Sequence, residues 1–97
     1  MSGSVLNPGV RVVRISGSSL VEQLTEADLV GGDLTFAAVV NIVEIINEDV
    51  AAGVFTVNGA AIRVPAQATT GVFQPPGTPS ATVSVAGSTQ FIVNRRA

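Results

Sequence analysis

Between residues 34 and 64 the chain carries two hydrophobic patterns. Val39, Val40, Ile42, Val43, Ile45 and Ile46 form a nearly continuous apolar run broken by Asn41 and Glu44, whereas Val54 to Val64 alternates about an Asn58-Gly59 pair. In the first pattern Asn41, Glu44 and Glu48 fall at helical spacing, but β-branched residues lose side-chain freedom in a helix. Residues 34–47 are therefore predicted as one long or two broken strands. Continuous apolarity implies that both faces are covered and places the segment at the centre of the fold.

A type I′ turn needs positive φ at both central residues, which Asn-Gly tolerates best. The expected two-residue hairpin pairs Val57 with Ala60, Phe55 with Ile62 and Gly53 with Val64 on a core face, and Thr56 with Ala61 and Val54 with Arg63 on the other. Pro65 ends it, having no N–H for a ladder.

Around this centre, residues 1–8 read as an arm and Gly9–Ile15 as an edge strand ended by Ser16-Gly17-Ser18-Ser19. Ser19-Leu20-Val21-Glu22 has capping-box spacing, with Leu20, Leu24 and Ala27 at helical intervals, which predicts a short helix near residues 20–29 stopped by Gly31-Gly32; an irregular polar loop is the alternative. Residues 65–80 hold Pro65, Pro75, Pro76 and Pro79 and read as the longest loop, with Val72-Phe73 as a short strand or anchor inside it. Ala81–Ala86 and Thr89–Val93 flank Gly87-Ser88 as a II′ hairpin, and Arg95-Arg96-Ala97 forms a tail. The class is all-β: one domain over residues 9–97, built as an antiparallel β-sandwich or small, jelly-roll-like barrel.

Composition narrows the chemistry. The 97 residues include no Cys and no His, so thiolate chemistry, disulfides, the usual zinc sites and imidazole catalysis are excluded. All seven acids lie between Glu22 and Asp49, and all five basic residues are Arg outside that span, at 11, 14, 63, 95 and 96. Such segregation either scatters solvated charge or sets opposite signs on different faces, where copies or a partner can dock. No basic n-region precedes an apolar stretch, so no signal peptide is expected, and no membrane span is predicted.

Glu22 and Glu26 are four apart, with Asp28 and Asp33 nearby, and paired carboxylates can do acid–base work; on a helix they are equally an ordinary solvated face. Asn47-Glu48-Asp49 offers oxygens for calcium but lacks EF-hand spacing. The net charge of −2 and the absence of Trp and Tyr argue against nucleic acid. No enzyme activity and no cofactor are expected. Arg11, Arg14, Pro75, Pro76, Arg95 and Arg96 are the candidate interface residues.

The apolar strand ending in Asn47, the Val54–Val64 hairpin followed by Pro65, and the closing Thr82–Val93 hairpin give residues 36–95 a texture that resembles the small β-sandwich accessory proteins of tailed bacteriophage particles, the head decoration or cement proteins. The resemblance implies a structural protein on the virion surface, assembled in the host cytoplasm, that binds a capsid or other virion protein across neighbouring subunits and stiffens the shell, commonly as a trimer or dimer. It carries over no functional residues. On this reading the sandwich is a rigid block whose arm, Pro75–Pro79 loop and Arg tail make the contacts, many weak ones adding over a lattice. The alternative is a carbohydrate-binding or adhesive β module of a fibre or appendage, which the missing Trp and Tyr weaken.

Overall fold

The computed structural model describes residues 18–97. Its strands are β1 (Leu20–Thr25), β2 (Asp33–Thr35), β3 (Ile42–Asn47), β4 (Gly53–Val57), β5 (Ala60–Val64), β6 (Ala68–Phe73), β7 (Thr82–Ala86) and β8 (Phe91–Arg96), with a single 3-10 turn at Glu26–Asp28. The arm at residues 1–8 and the strand expected at 9–15 lie outside the described residues.

The strands form two antiparallel four-stranded sheets, in the orders β1-β8-β3-β6 and β2-β7-β4-β5. Within them β1 pairs with β8, β2 with β7, β3 with β6 and β4 with β5. The chain is thus one long hairpin, doubled back at Asn58-Gly59 and rolled into two layers. That is jelly-roll topology, a sandwich rather than a closed barrel.

The turn at the tip has the expected geometry, with φ of 52° at Asn58 and 83° at Gly59. All five cross-strand pairs of the β4–β5 hairpin follow the expected register, and β5 stops at Val64. Asn58 does more than turn the chain. Its side-chain amide donates to the Val40 carbonyl at 2.9 Å and its side-chain oxygen accepts from the Ser80 N–H at 2.8 Å, tying the β2–β3 and β6–β7 connections to the tip. At the opposite end Asn47, almost fully buried, donates to the carbonyls of Ala51, Val64 and Pro65 and accepts from the Asp49 N–H and the Ser88 hydroxyl. A buried amide is tolerated when its donors and acceptor are satisfied in this way.

Between the layers lie Leu34, Val43, Ile45, Phe55, Val57, Val83, Phe91 and Val93, all fully buried. The rings of Phe55 from one sheet and Phe91 from the other meet edge to face, with centroids 5.4 Å apart, so an aromatic pair joins the layers.

Several expectations are corrected. Residues 20–25 are extended, because Glu22, Gln23, Leu24 and Thr25 find cross-strand partners on β8, and a helix this short is marginal without packing of its own. The capping box exists but begins later: the Thr25 hydroxyl accepts from the Ala27 N–H and the Asp28 carboxylate from the Thr25 N–H, closing only the 3-10 turn. Gly87-Ser88 does not join a hairpin, since β7 and β8 lie in different sheets. Gly87 has φ of 86° and passes so near the Ala52 carbonyl that a β-carbon would sit 2.9 Å from it, and this turns the chain from one layer to the other. The loop expected over 65–80 is shortened by β6, whose irregular register against β3 is bridged by the Thr70 hydroxyl accepting from the Ile45 N–H. Finally, Arg95 and Arg96 belong to β8 rather than to a tail.

Candidate interaction face

Residues 34–47 do split into two strands, and β3 is an inner strand of its sheet. Its two faces, however, differ. Val43, Ile45 and Asn47 are buried between the layers, while Ile42, Glu44 and Ile46 point outward and stay half-buried. Full cover on both faces, expected from continuous apolarity, is not what the described residues provide.

The register arranges the outer face of this sheet in rows. Thr25, Ile92, Ile46 and Thr69 form one; Gln23, Asn94, Glu44 and Val72 the next; Leu20, Arg96 and Ile42 the third. The middle row is hydrogen-bonded across strands: the Gln23 amide donates to the Asn94 side-chain oxygen at 2.9 Å, and the Asn94 amide to the Glu44 carboxylate at 3.1 Å. Asn94 is only 6% exposed although it faces outward. Aliphatic residues Leu20, Ile42, Ile46, Val72 and Ile92 surround this polar ladder. Beside Ile46 a shallow groove of about 370 Å³ is lined by Ile46, Asn47, Glu48, Gln67, Ala68 and Thr69.

The outer face of the other sheet is of different composition. It presents Asp33, Thr35, Thr82, Ser84, Ala86, Thr56, Ala61 and Arg63, with Val54 as its one large aliphatic residue. An antiparallel sheet that meets water on one side ordinarily shows such a polar or small outer set. The first sheet does not.

The candidate interface residues are dispersed. Pro75 is buried and Pro76 exposed in the β6–β7 connection, and Arg11 and Arg14 lie outside the described residues. Arg95 is engaged internally: its Nε and Nη2 both donate to Glu22 Oε1, at 3.1 and 2.9 Å, and the same carboxylate accepts from the Ala37 N–H. Charges segregated in sequence therefore meet across β1 and β8. Arg96 lies on the outer face and donates to the Ser18 hydroxyl and carbonyl.

The carboxylates considered for chemistry are engaged in hydrogen bonds within the fold. Glu26 accepts from the Phe91 N–H at 2.9 Å, Asp33 from the Ser84 hydroxyl, and Asp49 from both the N–H and hydroxyl of Thr89 and from the Ala51 N–H. The Thr89 N–H and hydroxyl hold the Asp49 carboxyl below its ordinary pKa. With β1 extended, Glu22 and Glu26 do not share a helix face. Among the described residues no group of three or more acidic side chains converges as a metal site, and no helix is long and apolar enough to cross a membrane.

Sequence reasoning missed Gln23, Asn94 and the outward aliphatics as a set. The signal lay in β3 itself, where both alternating sets of Ile42–Asn47 are largely aliphatic. The partners on β1, β6 and β8 come from register alone, which no local pattern contains. Comparison with protein-family models, curated proteins and solved structures finds no match to this chain.

Proposed function

We propose that this chain is a non-enzymatic structural module that binds to and stabilises a larger assembly, using the outer face of the β1-β8-β3-β6 sheet as its docking surface. The observation that carries this reading is the half-buried aliphatic set Ile42, Ile46 and Ile92 on an outward sheet face whose counterpart on the second sheet is, apart from Val54, polar or small. Aliphatic surface arranged around a hydrogen-bonded polar row is the composition of an interface core rather than of a solvated sheet.

The assembly proposed is a phage capsid, with the chain as a decoration or cement protein on the virion surface. Two things support that choice: the sequence texture of residues 36–95, and the eight-stranded double-sheet topology, an architecture that capsid domains use. The latter is analogy at the level of fold, and function is argued from the face. The same topology serves lectins, but the chain has neither Trp nor Tyr on which a sugar would stack.

Co-sedimentation with assembled capsids tests the reading. The wild-type chain is expected to pellet with the particles and Ile46→Lys to stay in the supernatant, since a cation placed in an apolar contact lowers affinity by at least about tenfold. A folded wild-type chain that pellets with no particle would count against it.

A further inference from the structure

The geometry points to a second copy of this chain as the occupant of the outer face of the β1-β8-β3-β6 sheet, packed sheet on sheet about a two-fold axis parallel to the strands. This rests on the reading that the face docks, and it makes a second copy, rather than a capsid subunit, what the face meets directly.

Cross-strand pairing sets Ile92 beside Ile46, Asn94 beside Glu44 and Arg96 beside Ile42. β8 and β3 are the two inner strands of the four. A two-fold axis running between them therefore lays β8 of one copy over β3 of the other at the same height. Ile92 then meets Ile46 of the second copy, twice over, while Asn94 stays in its own sheet's polar row. Arg96, one row along β8, reaches the Glu44 carboxylate of the second copy. The donors exist for this: Arg96 gives Nε and Nη2 to Ser18, leaving further guanidinium N–H groups. An axis perpendicular to the strands through the middle row would instead set Glu44 against Glu44, like charges in opposition. Charge and apolar pattern thus select one of the two arrangements.

The area sets the strength. Four strands about 4.8 Å apart, each roughly six residues long at about 3.4 Å per residue, present roughly 400 Å². A pair buries roughly 800 Å² in total, below the ~1,200–2,000 Å² of stable complexes. The contact is weak between free chains and gains from repetition when copies are held close together.

The test is sedimentation equilibrium of the full chain over a concentration series, with Ile92→Lys, Ile46→Glu, an equimolar mixture of the two, and Thr82→Lys on the opposite sheet; circular-dichroism melts establish that each is folded. Wild type and Thr82→Lys are expected to dimerise with rising concentration, and I92K and I46E alone to associate at least about tenfold more weakly. The mixture is expected to regain dimers, because the introduced ammonium faces the introduced carboxylate while the second Ile92–Ile46 contact is intact. A wild type that is monomeric at every concentration, an I92K that dimerises normally, or a mixture that does not associate would overturn the inference. A monomeric wild type that still pellets with capsids, with Ile46→Lys failing to, leaves the docking reading standing without the second copy. A dimer formed through this face that pellets with nothing removes the larger assembly instead.

Discussion

Asparagine does structural work in this protein that its usual role as a turn residue does not suggest. Asn58 supplies positive φ at the hairpin tip and simultaneously clamps Val40 and Ser80, while Asn47 gathers five hydrogen bonds at the other end of the sandwich. Asp49, next to that second clamp, fastens Thr89 and so holds the β7–β8 crossover. Its pKa is lowered by the Thr89 backbone N–H first and the Thr89 hydroxyl second. A depressed folded value means that this contribution to stability is complete above about pH 4, where the unfolded chain's carboxylate is ionised, and is lost as the pH falls through the folded value. Urea midpoints measured from about pH 2 to 7 should therefore decline less steeply on acidification in Asp49→Asn than in wild type. Parallel curves would show that another group carries the acid sensitivity.

At the level of elements, the two sheets are held together by alternate side chains on β3, β4, β7 and β8, among them the Phe55–Phe91 contact. Phe55→Ala leaves a cavity against Phe91 and should cost about 3–5 kcal/mol, read as a lowered denaturation midpoint at unchanged slope. A loss below about 1 kcal/mol would mean that the layers close over the gap. The same alternation explains the outer face: a strand with period-2 geometry cannot bury both of its sets in one core, so the aliphatic set Ile42 and Ile46 is turned away from the centre that Val43 and Ile45 occupy.

For the whole molecule, a rolled hairpin joins the ends of the described chain: β1 is paired with β8, and Ser19 exchanges backbone hydrogen bonds with Ala97. Contacts of such long sequence separation must be closed against chain entropy before they stabilise anything, so folding is expected on the millisecond-to-second scale. Stopped-flow refolding checks this, and a microsecond phase accounting for all the amplitude would refute it. The β4–β5 tip is local and β1–β8 is the most distant closure, so substitutions at the tip should slow folding more than those in β1.

The β4–β5 hairpin, its register, its Pro65 stop and the all-β class were legible because each depends on residues close together in the chain: Asn-Gly permits the turn, period-2 alternation chooses the face, and a proline cannot continue the ladder. What tertiary structure alone decided is which strand lies beside which. Leu20–Thr25 carries local helix signals but is claimed by the edge of β8, Gly87-Ser88 resembles a hairpin turn but carries the chain across the sandwich, and Arg95 meets Glu22 from the far end of the sequence. The interaction face belongs to this second class. Ile92, Asn94, Glu44 and Ile46 become one surface only when β8 pairs with β3, because hydrogen-bond ladders between distant strands are selected by the packing of both sheets together and leave no periodic trace in either strand.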